Sequence, residues 1–169
     1  MSFTTDELRA LLLLAATMTM GLVAGVFVLY AHTIMPGLKK TDDRTFVTAF
    51  QSIDRAIINP WFMAGGFAGA LVFTLAAALT HLGHDALPWI VAALVLYVIA
   101  FVITIAVNVP LNDAIKAAGD PDRIQDLAAV RERFDESRWA AWNLVRVATS
   151  TTAFGCLAWA LVLYGRATA

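Results

Sequence analysis

Four runs of apolar residues, roughly 8–35, 61–81, 87–109 and 139–164, alternate with more polar stretches along the chain. Each run is long enough to cross about 30 Å of hydrocarbon as a helix rising ~1.5 Å per residue. The polar stretches carry patterns of their own. In Asp42–Asn59, Phe46, Phe50, Ile53 and Ile57 stand at i, i+4, i+7 and i+11, with Asp43, Arg44, Gln51 and Arg55 mostly on the other faces. That spacing predicts an amphipathic helix lying in the membrane interface or roofing the bundle. Asn59-Pro60 ends it before Trp61 opens the second run. Between the third and fourth runs, Asp120-Pro121 reads as a helix N-cap with proline in the first turn. It opens a charged segment, Asp122–Ser137, whose Ile124, Leu127, Val130 and Phe134 are enough to dock on an apolar surface.

Within the runs, Pro36-Gly37 is expected to stop the first helix at Met35, and Pro110 to kink or stop the third at Val109. Gly21 and Gly25, and again Gly65 and Gly69, are spaced by four and predict faces where neighbouring helices approach closely. There is also a faint internal echo. Each half reads span, proline break, amphipathic segment, tryptophan, span, with Pro36 to Trp61 mirrored by Pro110 to Trp139.

Composition agrees with this pattern. Hydrophobic residues make up 60% of the 169 and charged residues 15%, and the mean hydropathy is +0.72. The expected fold is all-α: a single domain over 1–169, an integral membrane four-helix bundle with amphipathic cytoplasmic loop helices. A net charge of −1 leaves no basic field for nucleic acid. The lone cysteine, Cys156, sits inside the last run and reads as a small packing residue. Asp6, Glu7 and Arg9 precede the first run, which is span-length, so it is expected to be retained rather than cleaved as a signal. Lysine and arginine concentrate in the two long loops: Lys39, Lys40, Arg44 and Arg55 in one, Lys116, Arg123, Arg131, Arg133 and Arg138 in the other. This distribution places both loops on the cytoplasmic side of the inner membrane and both termini on the opposite side. The lipid bilayer is then one partner, and association as a homo-oligomer is left open.

Against this background, one residue is out of place. On a helix, Trp139, Asn143 and Arg146 fall at i, i+4 and i+7, and apolar residues continue to Tyr164. Arg146 is therefore sunk about two turns into a span, where insertion scales put its cost at roughly 2.5–3.5 kcal/mol. The ends of the four runs at the same face add His32, Asn59, Trp61, Asn108, Asn112 and Trp142. Singly, each has an ordinary account: an interfacial belt for the tryptophans, the headgroup boundary for His32, helix caps for the asparagines. Together at one depth they suit a flat, weakly acidic aromatic. The indoles offer stacking area, and Arg146, Asn143 and Asn112 can donate to an oxyanion. His32 has the intrinsic pKa of a base near neutrality. At the other face, His81, His84 and Asp85 share a glycine-containing turn and read as solvated loop residues rather than a metal site.

The motifs Met35-Pro36-Gly37-Leu38, Asn59-Pro60-Trp61-Phe62, Asn108-x-Pro110-Leu111-Asn112 and Trp139-x-x-Trp142-Asn143-x-x-Arg146, in this order, resemble the anthrone oxygenase family, a group of small four-span membrane proteins. The resemblance implies oxygenation of an anthrone-like hydrophobic aromatic to an anthraquinone, without metal or flavin and with dioxygen as co-substrate. On that expectation His32 is the base and Arg146 with Asn143 holds the enolate oxygen. Trp61, Asn59, Asn108, Asn112, Trp139 and Trp142 line the substrate site. Two other classes stand beside it: a non-catalytic binder or transporter of a lipophilic aromatic or quinone, and a b-type haem protein with His32 as axial ligand.

Overall fold

The computed structural model describes residues 4–168, and among them every regular element is helical. Four helices are long and apolar enough to cross a membrane. They are α1 (Thr5–Leu38), α3 (Trp61–Thr80), α4 (Leu87–Ala117) and the last, α6 (Glu136–Thr168), which follows the short α5 (Leu127–Phe134). The remaining helix, α2 (Asp43–Ile57), is the amphipathic one. The spans close as a ring in the order α1, α3, α4, α6, and the α3–α4 seam is the sparsest of the four.

The first helix runs on through Pro36, contrary to the stop expected at Met35, and of the kink or stop expected at Val109 the stop does not occur. The reason is a short π-helical stretch ahead of each proline: Tyr30–Ile34 before Pro36 and Thr104–Asn108 before Pro110. In each, the last wide bond joins the residue before proline to a carbonyl five back, Met35 to Tyr30 and Val109 to Thr104. The carbonyl that a proline ring would strike in an α-helix, four residues back, lies inside the widened turn. Stretch and proline recur together, 30 to 104 and 36 to 110, an offset of 74 in both. The internal echo of the sequence is thus also an echo in the backbone. A third π stretch, Trp61–Ala68, opens α3 after Pro60.

Side chains from neighbouring helices bond carbonyls around these stretches. Tyr97 donates to the Phe67 carbonyl at 2.7 Å and Asn143 to that of Phe27 at 3.1 Å. Such partners are what let irregular backbone persist away from water.

The glycine pairs do not act as pairs. A Cβ at Gly21 would meet the Phe154 ring at 2.9 Å, and one at Gly69 the Ala64 carbonyl oxygen at 2.8 Å, while Gly25 and Gly65 face open space. The carbonyl at Gly69 comes from its own helix, brought close by the π turn.

The loop segments form a roof. Phe46, Val47 and Phe50 of α2 are fully or almost fully buried beside Phe134 and Trp139, and burial of such side chains stabilises by about 1.5–3 kcal/mol each. Gln51, expected on an outer face, is also buried. Its amide donates to the Ile115 and Gly119 carbonyls at 2.8 and 3.1 Å and so caps the end of α4. The expected cap at Asp120-Pro121 is displaced. Asp120 accepts from the Asp122 amide in a local turn, and Asp126 caps α5 by accepting from Ala129 at 2.9 Å. Arg131 locks the roof, donating to Glu136, Asp43 and the Thr41 carbonyl while stacking 4.3 Å over Phe46.

Candidate functional site

Two apolar clusters fill the bundle, one toward the end that carries the termini and one under the roof. A hollow of about 390 Å³ draws its walls from both, within the ~300–1,000 Å³ range of ligand pockets. All four spans and α2 contribute. Phe27 and Tyr30 come from α1, Asp54 from α2, Phe62 and Phe67 from α3, Thr104 and Asn112 from α4, and Trp139 and Arg146 from α6. Three of these elements are π-widened at this level, a device common at functional sites because the extra residue re-aims side chains.

Arg146 is 5% exposed. One guanidinium nitrogen donates to Asn143 Oδ1 at 2.9 Å and another reaches Thr104 Oγ1 at 3.3 Å. Its plane lies 4.4 Å from the Phe27 ring centre and 5.3 Å from that of Trp139. The Nε has no partner, and among the described residues no carboxylate forms an ion pair with this cation. A buried cation normally holds a counter-charge; here two aromatic faces stand in for one.

At the roof side the charge is negative. Asp54, 4% exposed, accepts from Asn112 Nδ2 at 2.6 Å and pairs with Lys116 Nζ at 2.7 Å. The amide of Asn112 passes the connection on, its oxygen accepting from the Trp139 indole N–H at 2.7 Å. Lys116 also reaches the exposed Asp113 at 3.1 Å. An aromatic chamber thus runs between a fixed cation and a hydrogen-bonded carboxylate.

Of the nine residues proposed for this site from sequence, Arg146, Asn112 and Trp139 line the hollow. Asn143 lies behind Arg146 and orients it. Asn108 is buried, but its amide is turned to the Trp139 carbonyl at 3.3 Å rather than to the hollow. The other four stand elsewhere. His32 faces outward, its Nδ1 2.6 Å from the Thr33 hydroxyl. Two positions beyond Tyr30, it falls nearly opposite the lining face. Trp61 is 72% exposed, one position off the Phe62 that lines the wall, and Trp142 is likewise turned out. Asn59 is a cap: its oxygen accepts from the Phe62 amide and its nitrogen donates to the Ala56 carbonyl, both at 2.9 Å.

Asp54 is not among the nine residues proposed from sequence, although the chain carries a signal for it. It stands eight residues after Phe46 and four after Phe50, a carboxylate on the apolar face of an amphipathic helix. Tyr30, on the buried face of α1, carries no local signal that sets it apart from the apolar residues around it.

A family model described as anthrone oxygenase matches residues 46–156. That stretch carries Asp54, Asn112, Trp139, Asn143 and Arg146. No match was found among curated proteins or among solved structures. With two thirds of its length matched, including most of the walls of the hollow, the chain belongs to the anthrone oxygenase family.

Proposed function

We propose that the protein oxygenates a flat, weakly acidic aromatic of the anthrone type in this hollow, using dioxygen and no bound cofactor. The observation that carries the reading is Arg146: a desolvated guanidinium with a free Nε and, among the described residues, no paired carboxylate, flanked by aromatic rings. Such a group favours an anionic oxygen on a planar ring system over a neutral one, because the missing counter-charge is supplied only when the ligand ionises.

In this reading Asp54, rather than His32, takes the proton from the methylene opposite the ketone. Carboxylates serve as general bases when held within reach of the carbon acid, and Asp54 lines the hollow whereas His32 does not. The electrons left behind spread into the ring system and onto the oxygen, where Arg146 holds the enolate. Asn143 fixes the guanidinium and Trp139 supplies a stacking face. The enolate carbon then gives its electrons to dioxygen and forms a C–O bond, yielding a hydroperoxide. Loss of the remaining hydrogen at that carbon with cleavage of the O–O bond leaves a carbonyl. Two substrate hydrogens and one oxygen atom depart as water, and the second oxygen atom becomes the new quinone oxygen. The lysine- and arginine-rich roof is assigned to the cytoplasmic side of the inner membrane.

Anthrone supplied to the purified protein in detergent tests the reaction. Quinone formation above the spontaneous rate is expected, with oxygen consumed one for one and a single atom of labelled dioxygen in the product. A protein-dependent rate that persists without oxygen, or no rate above background, overturns the proposal.

A further inference from the structure

The residues that both line the hollow and face outward mark its mouth. They are Ile58, Met63, Ile105 and Val109, all apolar, with the carboxylate of Asp113 at the roof-side edge, and all are more than a third exposed. None belongs to α1 or α6. They sit on the connection into α3, on the first turn of α3 and on the far part of α4, at the sparsest seam of the ring. Trp61–Ala68 packs on α1 and Thr104–Asn108 on α6, while deeper in the seam Phe67 stacks on Phe101 at 4.7 Å and its carbonyl accepts from Tyr97.

The other approach is barred. On the roof side α2 lies across the hollow, with Ile57 in its wall and Asp54 tied to α4 through both Asn112 and Lys116. Opening that side would break an ion pair and a short hydrogen bond around a buried carboxylate, whereas the seam is bounded by aliphatic side chains that can change rotamer. Met63, Ile105 and Val109 also belong to the apolar runs, while the charged Asp113 follows Val109 by only one turn of α4. The mouth thus stands where hydrocarbon would meet headgroups.

From this we infer that the hollow is loaded sideways from the bilayer through the α3–α4 seam, by a lipid-dissolved planar aromatic whose acidic oxygen leads toward Arg146. The class of occupant rests on the reading above; the route does not require that any reaction take place.

The test therefore uses a ligand that is not oxidised further, 1-hydroxyanthraquinone, with the full chain in lipid vesicles. Its arrival is read in stopped flow as quenching of tryptophan fluorescence, Trp139 being in the wall. Met63→Phe and Val109→Phe should slow arrival and departure alike by about tenfold, equivalent to ~1.4 kcal/mol on the crossing barrier, with little change in equilibrium affinity. Met63→Ala and Val109→Ala should speed both. Val98→Phe, exposed on the same helix but away from the hollow, should change neither. For the unaltered protein the rate should follow the mole fraction of ligand in lipid. Rates indifferent to the rim substitutions, rates set by aqueous concentration alone, or no quenching in the unaltered protein would each overturn the inference. Absent turnover with quenching that obeys these rules would instead overturn only the oxygenase reading.

Discussion

Replacing Arg146 by methionine separates a residue kept for its ligand from one kept for the fold. Methionine has nearly the length of the arginine stem and no charge. Its gain is relief of a cation buried about ten residues into α6, which insertion scales put at roughly 2.5–3.5 kcal/mol near a span centre. Against this, the buried Asn143 oxygen loses its donor, a cost of about 1–3 kcal/mol. The stacking over Phe27 and Trp139 is worth about 1–2 kcal/mol, of which the thioether recovers ~0.3–1.5 kcal/mol against the same rings. The long contact to Thr104, at 3.3 Å, adds little. Together these terms run from about 2 kcal/mol destabilising to about 3 kcal/mol stabilising, whereas breaking a buried ion pair costs ~3–5 kcal/mol.

Function should respond quite differently. Removing a donor aimed at a developing oxyanion lowers turnover by about 10²–10³, and affinity for 1-hydroxyanthraquinone as its phenolate should fall with it. Thermal unfolding can be followed with a thiol-reactive fluorophore, since Cys156 is the sole cysteine and lies within α6. Arg146→Lys should keep the charge but lose the two separate nitrogens that reach Asn143 and Thr104, giving an intermediate loss of turnover. A destabilisation of Arg146→Met beyond ~4 kcal/mol, with binding lost only in step with folding, would refute the reasoning. So would undiminished turnover in a stably folded variant.

Asp54→Asn should reduce turnover of anthrone by about 10²–10⁴ while leaving 1-hydroxyanthraquinone bound, and His32→Ala should leave turnover unchanged; steady-state kinetics with an equilibrium titration decides both. Asn112→Leu strands the Trp139 indole N–H and one oxygen of Asp54, so it should cost about 1–3 kcal/mol, visible as a lower melting temperature. Gly69→Ala forces a methyl to within 2.8 Å of a backbone oxygen and should destabilise by ~1–3 kcal/mol. Gly65→Ala meets nothing and, on helix propensity, should stabilise by up to ~1 kcal/mol; thermal melts of the two compared side by side provide the check. Asp126→Ala should lower stability by about 1 kcal/mol through loss of the α5 cap, and Asp120→Ala should have little effect, as denaturant unfolding would show.

What the linear chain determines here is whatever depends on additive or local properties. Hydropathy sums along a helix, so the four apolar runs could be placed without knowing their neighbours. The face shared by Trp139, Asn143 and Arg146 follows from 3.6-residue periodicity inside one uninterrupted helix. The amphipathic stripe of α2 follows from the same rule, as did Asp54's place on it once the stripe was drawn. The tertiary structure decided the rest, through contacts distant in sequence. Whether Tyr30 or His32 faced inward depended on the rotation of α1 against α6. The fate of Pro36 and Pro110 depended on the widened turns ahead of them, and for the first also on Asn143 of α6 bonding the Phe27 carbonyl. Gly21 and Gly69 looked alike in spacing, yet one needed a ring from α6 and the other a carbonyl of its own π turn to explain it. Above all, no local pattern records that Arg146 lacks a carboxylate partner among the described residues. That is a property of everything packed around it, because a charge is compensated only by what lies within a few ångströms in space.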